Sequence, residues 1–243
     1  MLFRSTNPRV HEEYRRLRST LEPPIQLALN RSLSITLLNV RSLRKHSLDI
    51  KSHFIIFNSD IIALTETQLL PQTNDNDIKD HLEPFTIYRQ DHDSDRFCSL
   101  ALCIKNHIQI NESEYFTCIS AVKYAVVNNV YQSCITLLLL YRKNNSSIAQ
   151  YVDDLRYIIT DHDIHIILGD FNTNYFDDDE MKPLKGMMNS SNYTQVVQNP
   201  TFISSGSLLD HIYVKSSYLH NIFHSVIPVY YSDHDAIKII FKN

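Results

Sequence analysis

An apolar run, Ile166-Ile167-Leu168, stops at Gly169-Asp170-Phe171-Asn172, which places a carboxylate and a carboxamide two residues apart at the end of a buried strand pattern. Alternate residues of a strand share a face, so Asp170 and Asn172 are expected to project together if the turn keeps that alternation. The pair suits hydrolysis of a phosphate ester. A carboxylate can orient or deprotonate a water, while an amide, which both donates and accepts, can hold a non-bridging phosphate oxygen. The same four residues also suit a turn closed by an Asx hydrogen bond, and alone they do not separate the two readings. Their weight comes from other strand ends. Asn39, Glu66, Tyr141-Arg142, Leu209-Asp210-His211 and Ser232-Asp233-His234 each lie beside an apolar run. Polar groups that repeatedly close apolar strands converge when those ends share one edge, and such convergence is where sites form. A Ser-His-Asp hydrolase uses the same residue types, but the chain has no Gly-x-Ser-x-Gly elbow.

The elements that must carry these groups fit one large domain. A chain of 243 residues can bury a sizeable core, and 43% apolar and 21% charged content is ordinary for a folded protein. The longest apolar runs fall far short of a membrane span, and the Arg-bearing first residues contain no continuous apolar segment of the secretory kind. Cys98, Cys103, Cys118 and Cys134 lack the spacing of metal-ligand pairs and read as buried small hydrophobes in a reducing compartment, nuclear or cytoplasmic. A net charge of −4 argues against a protein that grips nucleic acid over its whole surface. It leaves room for a basic rim at Arg41, Arg44, Lys45 and Lys51 and at Arg142 and Lys143, residues that fit a solvated helix face equally well. The acidic run at 177–180 reads as a solvated loop. With only three glycines in the chain, turns must rely on Asn, Asp and Ser.

Residues 1–32 read as an Arg-rich leader, helical over 10–21 and closed by Pro23-Pro24, and residues 33–243 as the folded domain. Strands are expected at 35–40, 60–65, 97–104, 119–127, 134–141, 164–168, 208–214, 225–230 and 236–241. A helical spacing covers 43–58, and Ser146 or Ser147 can cap another helix carrying Ile148, Tyr151, Val152, Leu155, Ile158 and Ile159 on one face. The polar stretch 173–200 is the longest expected loop, with room for a short helix. No internal repeat is visible. Strands outnumber helices about two to one and are too apolar to have a wet face, which suits two packed β-sheets with helices outside. A doubly wound parallel sheet fits less well, because helices do not follow every strand.

Taken in order, NVRSL at 39–43, SDIIALTET at 59–67, YR at 141–142, LGDFN at 168–172, TFISSGSLLDHI at 201–212 and YYSDHDAI at 230–237 resemble one family. It is the endonuclease domain of LINE-type non-LTR retrotransposons, within the exonuclease-endonuclease-phosphatase superfamily that includes apurinic/apyrimidinic endonucleases and deoxyribonuclease I-like enzymes. The resemblance spans about residues 33–242 and implies an α/β fold, a four-layer sandwich of two mixed β-sheets flanked by helices. It also implies Mg²⁺-dependent phosphodiester hydrolysis, with Mn²⁺ as a substitute. By motif, Glu66 would be the principal metal carboxylate, with Asn39 beside it and Asp233 contributing. Asp170 would activate the attacking water, Asn172 would hold that water and the phosphate, and His234, polarised by Asp210, would stabilise the transition state. Tyr141 would approach the same phosphate. Thr201 and Ser232 match positions that support the site or touch DNA, and Arg41, Arg44, Lys45 and Arg142 would flank the duplex. His211 has no such part.

Two departures fall in loops. DRFCSLALCIK at 95–105 stands where relatives carry a glycine-rich turn, and KNNSS follows the YR pair where they carry prolines. The resemblance implies nicking of one DNA strand for target-primed reverse transcription, with a reverse transcriptase as partner and no membrane. A hydrolase of the same superfamily acting on abasic DNA, RNA or a small phosphoester fits the same motifs, as does a silent binding module that keeps the fold.

Overall fold

A computed structural model describes residues 32–92, 95–128, 133–144 and 146–242. The expected helix at 10–21 lies outside them. The strands are β1 (Ser32–Asn39), β2 (Ile61–Thr65), β3 (Phe85–Gln90), β4 (Leu100–Lys105), β5 (Ile108–Phe116), β6 (Ala121–Asn128), β7 (Ser133–Tyr141), β8 (Ile166–Asp170), β9 (Tyr193–Gln195), β10 (Asp210–Lys215), β11 (Ile222–Ile227) and β12 (Ala236–Lys242). The helices are α1 (Leu43–Ser52), α2 (Phe54–Phe57), α3 (Asn76–Leu82), α4 (Ile148–Asp161) and α5 (Asp178–Ser190).

Burial on both faces of the apolar strands dictates the layering. In β1, Leu33, Ile35 and Leu37 face inward and join Leu137, Leu139, Ile166 and Leu168 of β7 and β8 in the core between the sheets. Leu38 packs outward with Leu43 and Ile50 of α1, whereas Leu138, Leu140 and Ile167 pack outward with Leu155 of α4 and Leu184 of α5. The result is a four-layer α/β sandwich of two six-stranded mixed sheets flanked by helices, ordered β11-β12-β1-β2-β4-β3 and β5-β6-β7-β8-β10-β9.

Each sheet carries its parallel pair at the centre, β1 with β2 and β7 with β8, and pairs antiparallel elsewhere. The two sheets therefore share one pattern of pairing although the sequence shows no repeat. In the first sheet the outer hairpin is contributed by the end of the chain, and Ser32 of β1 pairs with Lys242 of β12.

Several expectations are corrected. The helical pattern at 43–58 breaks at His53, whose backbone is extended, giving α1 and α2. The stretch 173–200, expected as a loop with room for a short helix, holds a longer helix and a strand. These are α5 and β9, and Pro183 and Gly186 within α5 had disguised the helix. The acidic run is the start of that helix: Asp177 accepts a hydrogen bond from Glu180 N, and Asp178, Asp179 and Glu180 form its first turn, where carboxylates favour the helix dipole. β5 is a largely exposed edge strand whose polar residues had hidden it. Residues 96–98 form a short 3₁₀ turn rather than strand. Cys98 and Cys103 are buried as expected, but Cys118 and Cys134 are exposed.

Candidate active site

In each parallel pair the carboxyl ends of both strands point the same way, so their closing residues meet above the core. Asn39 lies in register with Thr65, immediately before Glu66, and Tyr141 lies in register with Asp170. Asn39 Nδ2 donates to Glu66 Oε1 at 3.0 Å and to Asp170 Oδ2 at 2.8 Å, joining the two sheets through one buried amide. Tyr141 donates its hydroxyl to Glu66 Oε1 at 3.3 Å. On the other side of Asp170, β10 brings Asp210 into register, and His234 donates from Nδ1 to Asp210 Oδ2 at 2.7 Å. Thr201 Oγ1 accepts from the backbone N–H groups of Leu209 and Asp210, and Ser232 Oγ donates to Asn39 O while accepting from His234 N. Thr201 thus supports the site from behind, whereas Ser232 does so from the lining of the cleft.

Asn172 does not simply alternate with Asp170. Its φ of 46° turns the chain left-handed, its N–H donates to Asp170 Oδ1 at 2.8 Å, and its side-chain Nδ2 donates to Arg142 O at 2.7 Å. The Asx turn and the carboxylate-amide pair are therefore the same structure. Arg41, Glu66 and Gln68 also adopt left-handed backbone angles, φ 52°, 48° and 55°, so strain collects at the strand ends that carry the polar groups.

Burial decides the electrostatics. Asp170 is fully buried, and burial, reinforced by the charge of Asp210, pushes its carboxyl up to about 7. Burial alone would lower His234, but the charge of Asp210 and the hydrogen bond to it more than offset this and raise the imidazole to about 9. Tyr141 is raised well above an ordinary phenol by burial and then by the charges of Glu66 and Asp170, so it stays protonated as a donor. His211 is pushed down to about 4 by burial. It stacks on Phe171 and hydrogen-bonds the carbonyls of Thr173 and Leu208, which makes it a support for the Asp170 turn.

Arg142 is a correction. It was expected beside DNA, but it is buried and donates to Phe171 O, Asn172 O, Thr173 Oγ1 and Ser146 O. It clamps the turn that follows Asp170. Thr201 is likewise fully buried, which leaves it the supporting part of its expected role. Arg41, Arg44 and Lys45 are exposed as expected. Arg41 and Lys45 line a cleft of about 620 Å³ together with Asp233, Arg96, Phe97 and Tyr230, whereas Arg44 stands outside this lining. Arg96 and Phe97 were not anticipated. Their only sequence signal is a cation beside an aromatic residue before a strand, and the guanidinium of Arg96 lies 5.5 Å from the Phe97 ring centroid.

The donor set fits a hard divalent cation. Glu66 Oε2 and Asp233 Oδ1 are buried without a hydrogen-bond partner, and Arg41 bridges the two side chains. Asn39 turns its Oδ1 to Arg41 N at 3.2 Å and acts here as the bridge between carboxylates. Ligand-capable atoms of Asp170, Asp210 and His234 also lie within 4.8 Å of one another, a second grouping, made of residues to which the motifs give catalytic parts. Among the described residues no helix is long and apolar enough to cross a membrane.

Solved structures share this fold at low identity. The endonuclease domain of TRAS1, a telomere-specific non-LTR retrotransposon, superposes with a TM-score of 0.66 at 16% identity, covering 87% of this chain and 98% of that one. The AP endonuclease LMAP from Leishmania major gives 0.73 at 15% identity, covering 93% and 90%. The 3′ phosphatase NExo from Neisseria, bound to product DNA hairpin, gives 0.67 at 15% identity, covering 86% and 99%. No curated protein matches in sequence. The sequence profile of the endonuclease/exonuclease/phosphatase family matches residues 36–234, from the middle of β1 to the histidine that pairs with Asp210, and the chain belongs to that family.

Proposed function

We propose that the protein is a divalent-metal-dependent DNA endonuclease that nicks one strand and leaves a 3′-hydroxyl, the primer that a reverse transcriptase partner would extend. The observation that carries the reading is the position of Asp170, a buried carboxylate bonded to Asn39 of the opposite sheet and flanked by the His234–Asp210 pair. The NVRSL motif and the form of the Glu66 motif, Thr65-Glu66-Thr67, support the retrotransposon branch.

Glu66 and Asp233, with Asn39 beside them, would hold Mg²⁺ or Mn²⁺, which when bound supplies Lewis-acid polarisation of the scissile phosphate. Asp170 takes a proton from the attacking water as the new P–O bond forms and the bond to the 3′-oxygen breaks, and the leaving 3′-oxygen takes up a proton from solvent to become the hydroxyl. Its raised pKa brings it close to the operating pH, where a general base is most effective. Asn172 helps to place that water. Protonated His234, held by Asp210, and the Tyr141 hydroxyl stabilise the negative charge that builds on the phosphate oxygens. Conversion of supercoiled plasmid to open circles with Mg²⁺ or Mn²⁺, and its loss on chelation, is the expected result. Parallel assays on abasic duplex, RNA and inositol phosphates choose the substrate class, and failure to cut any of them would leave the silent binding module.

A further inference from the structure

We propose that Arg41 is an internal counter-ion for the metal-site carboxylates, displaced when a divalent ion enters and released toward a nucleic-acid phosphate. The inference rests on the metal-dependent reading above. Arg41 Nη1 donates to Asp233 Oδ2 at 2.7 Å while its Nε lies 3.8 Å from Glu66 Oε2. These carboxylates come from distant parts of the chain, after β2 and before β12, and would repel one another without a cation between them.

The guanidinium is aimed there by its backbone. Arg41 sits at φ 52° with its N–H bonded to Asn39 Oδ1, so the chain turns back across the site two residues after the bridging amide. A purely structural arginine would be buried as Arg142 is, and one reserved for DNA would have no carboxylate partner. Arg41 does neither: its side chain is 44% exposed, it pairs with both carboxylates, and it lines the cleft that also holds Lys45 and Arg96.

A divalent ion held by Glu66 and Asp233 would compete with the guanidinium for the same negative charge. A phosphate in the cleft would draw Arg41 away from that charge. Each ligand therefore removes the obstacle to the other, and linkage requires the two effects to be equal in size. Without substrate, the single guanidinium offsets one of the two carboxylate charges, and the site takes metal most readily with a strand in place.

The test is Mn²⁺ titration followed by the electron-paramagnetic-resonance signal of the free ion, on wild type, Arg41→Gln and Arg41→Lys. Arg41→Asn serves as a second charge-removing variant, because Asn accepts a left-handed backbone. Circular dichroism checks that each is folded. Without nucleic acid, Arg41→Gln or Arg41→Asn should bind Mn²⁺ at least about fivefold more tightly than wild type, the low end of ordinary coupling, and Arg41→Lys should stay near wild type. After subtraction of the Mn²⁺ that the duplex binds alone, saturating phosphorothioate duplex should tighten Mn²⁺ binding to wild type more than to Arg41→Gln, which gains the phosphate's own attraction but no release of a guanidinium. Equal Mn²⁺ affinity in wild type and the folded charge-removing variants would overturn the inference alone. Absence of Mn²⁺ binding to every protein would overturn the metal-dependent reading as well.

Discussion

Asp210 acts on two neighbours in the same direction, raising both the His234 imidazole and the Asp170 carboxyl. In metal-free protein followed by NMR of the imidazole, His234 should titrate near 9, and Asp210→Asn should bring it down by removing its main charge partner. The sign for stability follows. A folded-state value above the ordinary imidazole value means that the pair stabilises fully below about pH 6.5 and loses that contribution as pH rises through about 9. Urea midpoints of wild type should therefore fall across this window more steeply than those of Asp210→Asn. In cleavage assays, Asp170→Ala and His234→Ala should each lose at least about 10²-fold, and Asp210→Asn less than His234→Ala. Near-normal rates in both alanine variants would refute their roles. Asp170, Glu66, Tyr141, Asp210 and His234 were legible because each closes or adjoins an apolar strand, a signal local in the chain. The burial of Arg142 was not legible, since the carbonyls it clamps are brought to it by the pairing of β7 with β8.

Among the elements, β7 and β8 approach closely at Gly169, where an added Cβ would lie 2.0 Å from Leu140 O. Gly169→Ala must push apart the strands that carry Tyr141 and Asp170, so it should destabilise the fold by about 1–3 kcal/mol or more and abolish cleavage. A thermal midpoint within a degree or two of wild type would contradict that packing. Arg142→Lys makes a complementary case: a lysine offers one point charge to a turn that now receives a fork of donors, and the Asp170 turn should loosen. Cleavage is expected to fall more than tenfold with the fold retained by circular dichroism. Strands buried on both faces were legible from unbroken apolar runs such as ITLLLLY. β5 and α5 were not, because an edge strand facing solvent carries no apolar pattern and a helix containing Pro183 and Gly186 reads as punctuation.

Across the whole molecule, a chain of net charge −4 gathers Arg41, Lys45 and Arg96 in one cleft beside the site. Replacing Lys45 and Arg96 together by alanine should weaken duplex binding about equally on all sequences and flatten its salt dependence by roughly one log unit per lost phosphate contact. An unchanged salt slope would show that the nucleic acid lies elsewhere. The sandwich was legible from the count and apolarity of the strands, but the pairing pattern shared by the two sheets was not, because backbone pairing can repeat while side chains diverge. That shared pattern has a mechanical outcome. The partnership of Ser32 with Lys242 sets both ends of the described chain side by side, at the far end of β1, roughly 23 Å from Asn39. Force applied at Ser32 or at Lys242 would therefore enter the first sheet at the pole opposite the polar cleft, and a pull that parts the two would unzip β1 from β12 pair by pair, reaching the Asn39 end last.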